Sequence, residues 1–221
     1  MGWSDHFNVA ELPQGSYRSI AGYAAESLVI GRAMQCGYNL FFKAWRDSPY
    51  DGVLDHNGVL FRIEIKGTTV NTLGVTAGGR SGAQISREAE DRTHIIDSDE
   101  VDLLVGVNNL NGDCYLIPSE VLAIFNQQAL SLEKIEIFKE KWEMLGGFRG
   151  SGITFSTEDI KRGFFRRSEE ELIHICYLLG LRIEEGLDSY SIDWPGFRGG
   201  ILSGLTFRKI VTLLIWKAIL Q

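Results

Sequence analysis

The sequence predicts an α/β fold with a helical C-terminal extension. Three observations predict it: an apolar, proline-free run over residues 17–36, paired strand-like segments around Asn57-Gly58, and a change to helical patterning beyond residue 130. The first run closes at Gly37, a usual helix stop, and reads as a helix. Residues 39–45 are rich in aromatics and end in the turn signal Arg46-Asp47-Ser48-Pro49, so they read as a strand. Residues 50–55 and 59–66 flank His56-Asn57-Gly58, whose Asn-Gly pair is the short-range signal of a hairpin.

GVTAGGRSG, residues 74–82, holds four glycines in nine positions and reads as a mobile loop that lets a ligand approach the backbone. A short helix is expected near residues 83–92. VDLLVGV (101–107) and CYLI (114–117) are strand-like and joined by a polar turn, and Pro118-Ser119 opens another helix. Ser168 and Glu171 have the spacing of a capping box for a helix over 169–181, and a last helix is expected over 205–220. The expected division is a first domain over 1–128 and a helical extension over 129–221. The last helix leaves few polar positions around its circumference, so it should lie either in a homodimer interface or between the extension and the rest of the chain.

A chain of 221 residues with 44% hydrophobic and 23% charged residues has the composition of a self-folding globular protein. Its net charge of −7 argues against indiscriminate binding to nucleic acid, yet leaves room for a local basic groove. Cys36, Cys114 and Cys176 are widely spaced and show no zinc-ligand spacing, which fits a reducing cytoplasm. The N-terminus shows no signal-peptide pattern. Arg208, Lys209 and Lys217 interrupt the most apolar stretch, so no membrane span is expected.

The chemistry is concentrated between residues 26 and 66. Strand alternation puts Phe61, Ile63 and Ile65 on one face, and Arg62, Glu64 and Lys66 on the other. Asp51 opens the partner strand and can lie across from Glu64. Two carboxylates and an ammonium then converge, which suits metal-assisted phosphodiester hydrolysis: oxygen ligands for a hard cation and a charge to position water. The same pattern also suits a plain cross-strand ion pair. In the first helix Glu26 is surrounded by uncharged Ser19, Gly22, Tyr23, Val29, Ile30 and Ala33, a costly place for a carboxylate unless it is paired or binds metal. A solvated helix edge beside Arg18 or Arg32 is the other reading.

Ala25-Glu26-Ser27, then Ser48-Pro49-Tyr50-Asp51, then Glu64-Ile65-Lys66-Gly67-Thr68 resemble, in order and spacing, the motifs of the PD-(D/E)XK nucleases. That superfamily includes restriction enzymes, Holliday-junction resolvases and one class of group I intron homing endonucleases. YDGVLDHNGVLFRIEIKGT and VDLLVGVNNLNGDCYLIPSEV are similar to the resolvase and intron-endonuclease branch, and the likeness spans about residues 17–125. It departs from the pattern where Tyr50 separates Pro49 from Asp51.

The resemblance implies a restriction-endonuclease-like core, a mixed sheet flanked by helices. It implies a metal-dependent DNA endonuclease of restriction, homing or junction type, with Mg²⁺ as cofactor and Mn²⁺ able to substitute. Asp51, Glu64 and the carbonyl of Ile65 would hold the ion, Lys66 would position the attacking water, and Glu26 would support the metal. Double-stranded DNA is the expected substrate and a homodimer the expected form, since one site per chain cuts one strand. Arg80, Gln84, Ser86 and Arg87 are candidate DNA contacts in the glycine-rich loop and following helix. Lys161, Arg162, Arg166 and Arg167 are further candidates, in KRGFFRR, where cations and aromatics alternate as they do on nucleic acid backbones and bases. That segment equally suits a loop whose phenylalanines anchor it to the core. A noncatalytic DNA-binding protein with a nuclease fold and a metal-dependent ribonuclease are the alternatives.

Overall fold

A computed structural model of the chain describes residues 14–43, 48–78, 93–150, 152–183, 194 and 206–221. Helix α1, Gln14–Gln35, is followed by strands β1 (Asn39–Phe42), β2 (Gly52–His56) and β3 (Val59–Thr68). Short strands β4 (Thr72–Gly74), β5 (Thr76–Ala77) and β6 (His94–Ile95) lead to β7 (Leu103–Asn108) and β8 (Cys114–Pro118), and then to α2 (Ser119–Phe125). The rest comprises β9 (Ala129–Ser131), two 3-10 turns, the hairpin β10 (Phe148–Gly150) and β11 (Ile153–Phe155), and helices α3 (Thr157–Arg162), α4 (Glu169–Leu178) and α5 (Phe207–Leu220).

The main sheet has the order β1-β2-β3-β7-β8 and is mixed: only β3 and β7 run parallel. The β2–β3 hairpin turns at Asn57 and Gly58, both with positive φ, the conformation the Asn-Gly pair favours. β7 and β8 are apolar and buried almost throughout, as expected of strands covered on both faces. β8 ends the sheet, but Tyr115 bridges Lys139 and the Glu140 N–H donates to the Cys114 carbonyl at 2.7 Å, so its edge is capped. Glu140 also accepts from Cys114 N–H, Trp142 Nε1 and Arg32, tying α1 to this segment.

The buried stripe of α1 is Ala21, Ala25, Val29 and Ala33, every fourth residue. Small residues let this helix lie close to β3. A Cβ on Gly67 would sit 3.0 Å from the Ala25 Cβ and 2.7 Å from Asn109 Nδ2, so a side chain here would have to push α1 or Asn109 aside. Because Gly67 shares the alternation of Phe61, Ile63 and Ile65, all buried, that is the face α1 covers.

The sequence pattern and the structure differ in several places. β1 stops at Phe42, and residues 44–47 lie outside the described set. Residues 74–77 end β4 and form β5 instead of belonging to a loop, while 79–92, which include the expected short helix, are outside it too. β9, β10 and β11 interrupt the expected run of helices, each only three residues long and too short to set a periodicity. The capping box of Ser168 and Glu171 is formed, and Ser156 with Asp159 forms a second one at α3.

Helix α5 is buried by its own chain. Ile210, Val211, Leu213, Ile215, Trp216 and Leu220 are all inside, with Leu214 packed against the same core. The Trp216 ring meets Phe164 and Phe138 edge-on at 5.0 and 6.2 Å. Among the described residues no helix is long and apolar enough to cross a membrane. Cys114 and Cys176 are buried, and burial pushes both thiols up to about 12, which makes them packing residues and not nucleophiles at neutral pH.

Candidate active site

The hairpin brings the carboxylates together as its register requires. Gly52 pairs with Ile63, and the Asp51 N–H donates to the Ile63 carbonyl at 2.8 Å, so Asp51 enters the sheet beside Glu64. Asp51 Oδ2 accepts the Ile65 N–H at 2.8 Å, which fixes the Ile65 peptide against that carboxylate. Lys66 Nζ is 2.5 Å from Glu64 Oε1. Both carboxylates are buried, Asp51 with 9% and Glu64 with 8% of its surface exposed, so this is not the solvated ion-pair face that a hairpin edge would give.

A second lysine joins them. Lys43 follows β1 in the sequence, its N–H donates to the Asp51 carbonyl at 3.0 Å, and its Nζ is 2.7 Å from Asp51 Oδ1. Sequence reasoning missed it, although the signal was present: if residues 39–45 and 50–55 pair antiparallel, a residue near the end of the first faces the start of the second.

Glu26 is half-buried at the border of the Ala21–Ala25–Val29–Ala33 stripe, one residue away from the inward line expected for it. Arg32, a candidate neighbour of a solvated edge, is engaged with Glu140 instead. Burial raises the Glu26 carboxyl above the usual range, the Asp51 charge raises it further, and Lys43 opposes both. Glu64 is raised too, first by burial and also by Asp51, against the pull of Lys66 and Lys43. Burial works to lower Lys43, but its hydrogen bond to Asp51 and the fields of Asp51, Glu64 and Glu26 turn the net shift upward. Asp51 is therefore the group through which Glu26 and Glu64 share one electrostatic site.

As the side chains stand, no three His, Cys, Asp or Glu residues form a metal-holding group among the described residues. The donor set still suits a hard divalent ion, because Mg²⁺ is commonly held by one or two carboxylates and completed by water and substrate phosphate. Asp51 and Glu64, both buried and adjacent, form such a pair.

The candidate DNA contacts divide. Arg80, Gln84, Ser86 and Arg87 lie outside the described residues. Lys161 and Arg162 occupy the last turn of α3, and Arg162 is exposed. Arg166 bonds Asp99 and Ser98 at 2.6 Å, and Arg167 bonds Asp159 at 2.7 Å while lying over the Phe164 ring. Phe164 is fully buried against Phe155 and Trp216, so it anchors the segment and is not presented to a base.

Sequence reasoning also missed Glu120, a fully buried carboxylate beneath that segment. It accepts from Phe164 N–H (3.0 Å), Phe165 N–H (2.6 Å) and Trp216 Nε1 (2.6 Å). Gly163, at φ +73°, leaves the room this needs, since a Cβ there would be 2.5 Å from Glu120 Oε2. Nothing local in Pro118-Ser119-Glu120 signals it, because its partners lie 44 to 96 residues away.

Among solved structures, a bacterial homing endonuclease, I-Ssp6803I, is similar over 58% of this chain and 92% of its own, at 16% identity and a TM-score of 0.48. No curated protein matches the sequence. The sequence profile of the PD-(D/E)XK endonuclease family matches residues 19–142, more than half of the chain, from within α1 to beyond β8, and so includes Glu26, Lys43, Asp51, Glu64 and Lys66. The chain belongs to the PD-(D/E)XK endonucleases.

Proposed function

We propose that the protein is a Mg²⁺-dependent endonuclease that hydrolyses phosphodiester bonds in double-stranded DNA and works as a homodimer in the cytoplasm. The observation that supports this best is the pair of buried carboxylates at the start of β2 and in β3, each next to an ammonium. A structural ion pair needs one acid and one base on a solvated strand face; two acids buried side by side bring together the oxygen ligands that a hard divalent cation takes.

Asp51 and Glu64, with the Ile65 carbonyl, would hold the ion. When bound, it would stabilise the charge growing on the phosphate and ease deprotonation of the attacking water. Lys66, hydrogen-bonded to Glu64, would orient that water. Glu26 senses Asp51 and in this reading supports the site from its rim. The region over 129–221 would serve recognition or dimerisation, with Lys161, Arg162 and Arg166 toward the phosphate backbone, Arg167 reaching it only by leaving Asp159, and Arg80, Gln84, Ser86 and Arg87 as further DNA contacts.

The experiment is incubation of purified protein with plasmid, junction DNA and RNA, with Mg²⁺ or EDTA. Cutting of DNA that EDTA abolishes is the expected result. Cutting of RNA alone would make the protein a ribonuclease, and metal-insensitive binding without cutting would make it a noncatalytic DNA-binding protein. Mn²⁺ should replace Mg²⁺. Ca²⁺ should support binding without cleavage, because its looser coordination activates water poorly.

Glu26→Gln should leave the melting temperature near that of the wild type and shift the Mg²⁺ dependence of cleavage to higher concentration, on the order of tenfold for the loss of a charge worth about 1.4 kcal/mol to a nearby cation. A Mg²⁺ titration that superimposes on the wild type would confine Glu26 to the helix surface.

A further inference from the structure

The two carboxylates of the site are not equally open. Asp51 Oδ2 is committed to the Ile65 N–H, and Asp51 Oδ1 is the atom that Lys43 holds at 2.7 Å. Glu64 gives Oε1 to Lys66, while among the described residues its Oε2 takes part in no hydrogen bond. A divalent ion can therefore approach Glu64 at Oε2, but at Asp51 both oxygens are already engaged and it must come up against the carboxylate that Lys43 holds. An ammonium and a divalent cation about 3 Å apart on one oxygen repel strongly, even at the effective dielectric of a protein surface.

We propose that Lys43 is a positioning residue of this site: its ammonium keeps the cation place against Asp51 until a divalent ion displaces it, so Lys43 sets how tightly the protein binds metal. Three features support this. The Lys43 backbone is fixed to Asp51 by its own N–H, so the side chain is delivered to that carboxylate by the β1–β2 register and not by chance surface contact. Its charge is felt by Glu26 and Glu64 as well as Asp51, so it offsets part of the repulsion among the three acids. Its side chain is also partly exposed, 28%, and has somewhere to go when it leaves. Without it, Lys66 alone would offset three carboxylates in the metal-free protein; with it, metal binding becomes an exchange of one cation for another.

The inference rests on the reading of Asp51 and Glu64 as metal ligands, and the test separates the two. Mn²⁺ binding to the protein without DNA would be followed by electron paramagnetic resonance for the wild type, Asp51→Asn, Lys43→Met and Lys43→Arg. The wild type should bind, and Asp51→Asn should lose most of that affinity. Lys43→Met should bind more tightly, on the order of tenfold, because the competing charge is gone. Lys43→Arg, which keeps a cation, should stay near the wild type. A wild type that binds no Mn²⁺ would overturn the metal reading and this inference with it. A wild type that binds, with Lys43→Met no tighter or weaker, would overturn the role of Lys43 alone. If Lys43→Met does not fold, the ¹⁵N–¹H signal of the Lys43 ammonium in otherwise unaltered protein, assigned through Lys43→Arg, decides the matter. It should change on saturation with Mg²⁺ as the bond to Asp51 breaks, and a signal unaffected at saturation would overturn the proposal.

Discussion

Asp51→Asn, Glu64→Gln and Lys66→Met should each lower DNA cleavage by roughly 10²–10³-fold or more, the scale seen when one preorganised charge or donor is removed from a transition state. Isosteres are needed because Asp51 and Glu64 are buried and engaged. Alanine at Asp51 would orphan the Ile65 N–H and strand the Lys43 ammonium, so lost activity and lost stability would be confused. Asparagine keeps an oxygen for the Ile65 N–H and the shape of the side chain, while its amide NH2 replaces the oxygen that Lys43 holds, so the melting curve is needed to separate the two effects. The measurement is single-turnover cleavage in Mg²⁺ together with DNA affinity in Ca²⁺ and a melting curve. A fall in rate with affinity and melting unchanged identifies groups that act in the chemical step. Near-wild-type cleavage by any one variant removes that residue from the site. The three effects should not add, because Asp51, Glu64 and Lys66 act as one unit and the first loss already disables it.

The hairpin was legible because local chemistry dictates it. Asn57-Gly58 sets the turn, the turn sets the register, and the register places Asp51 by Glu64 with no information from elsewhere in the chain. Glu26 was legible as a carboxylate among apolar neighbours, yet the helical wheel does not say which line of residues the sheet touches. The close approach of Ala25 to Gly67 decides that, and it turns Glu26 to the border. Lys43 depended on one further pairing step, from β1 to β2. The roles of the KRGFFRR cations were not legible at all, since composition cannot distinguish an arginine facing DNA from one bonded to Asp99 or Asp159, acids distant from or unremarkable in the motif. Helix α5 shows the same limit: an all-round apolar helix must be buried, but whether by a second chain or by its own depends on contacts such as Trp216 with Phe138 and Phe164.

Those contacts give the extension a specific attachment to the part of the chain that carries the site. α2 begins directly after β8, which pairs with β7, which in turn runs parallel to β3 and its Glu64 and Lys66. Glu120 in the first turn of α2 then holds α5 and the segment after α3 through three donors. A chain of hydrogen-bonded strands and one buried carboxylate thus links β3 to the C-terminal helix.

Glu120→Ala should be among the most destabilising single substitutions in the protein, costing roughly 3–5 kcal/mol, since three buried N–H donors lose their acceptor at about 1–3 kcal/mol each. It would leave the Phe164 and Phe165 N–H groups and the Trp216 indole N–H without their acceptor inside the core, and open a cavity beside Gly163. Set against the 5–15 kcal/mol that stabilises a typical domain, such a loss brings the chain close to unfolding at 37 °C. Glu120→Gln should cost less, about 1–3 kcal/mol, because its single oxygen can still accept from Phe164 and Trp216 while its amide meets the Phe165 N–H donor to donor. The pH dependence carries a separate sign. Burial raises the Glu120 pKa in the folded protein, so the folded state holds this proton more tightly than the unfolded chain. Its contribution to stability is then fully present below the ordinary glutamate pKa of about 4.3 and declines as pH rises through the folded value. Glu120→Gln should remove that part of the pH dependence, narrowing its deficit relative to the wild type as pH rises. Urea unfolding at several pH values measures both effects, and a Glu120→Ala protein that unfolds within about 1 kcal/mol of the wild type would show that the three donors find other partners.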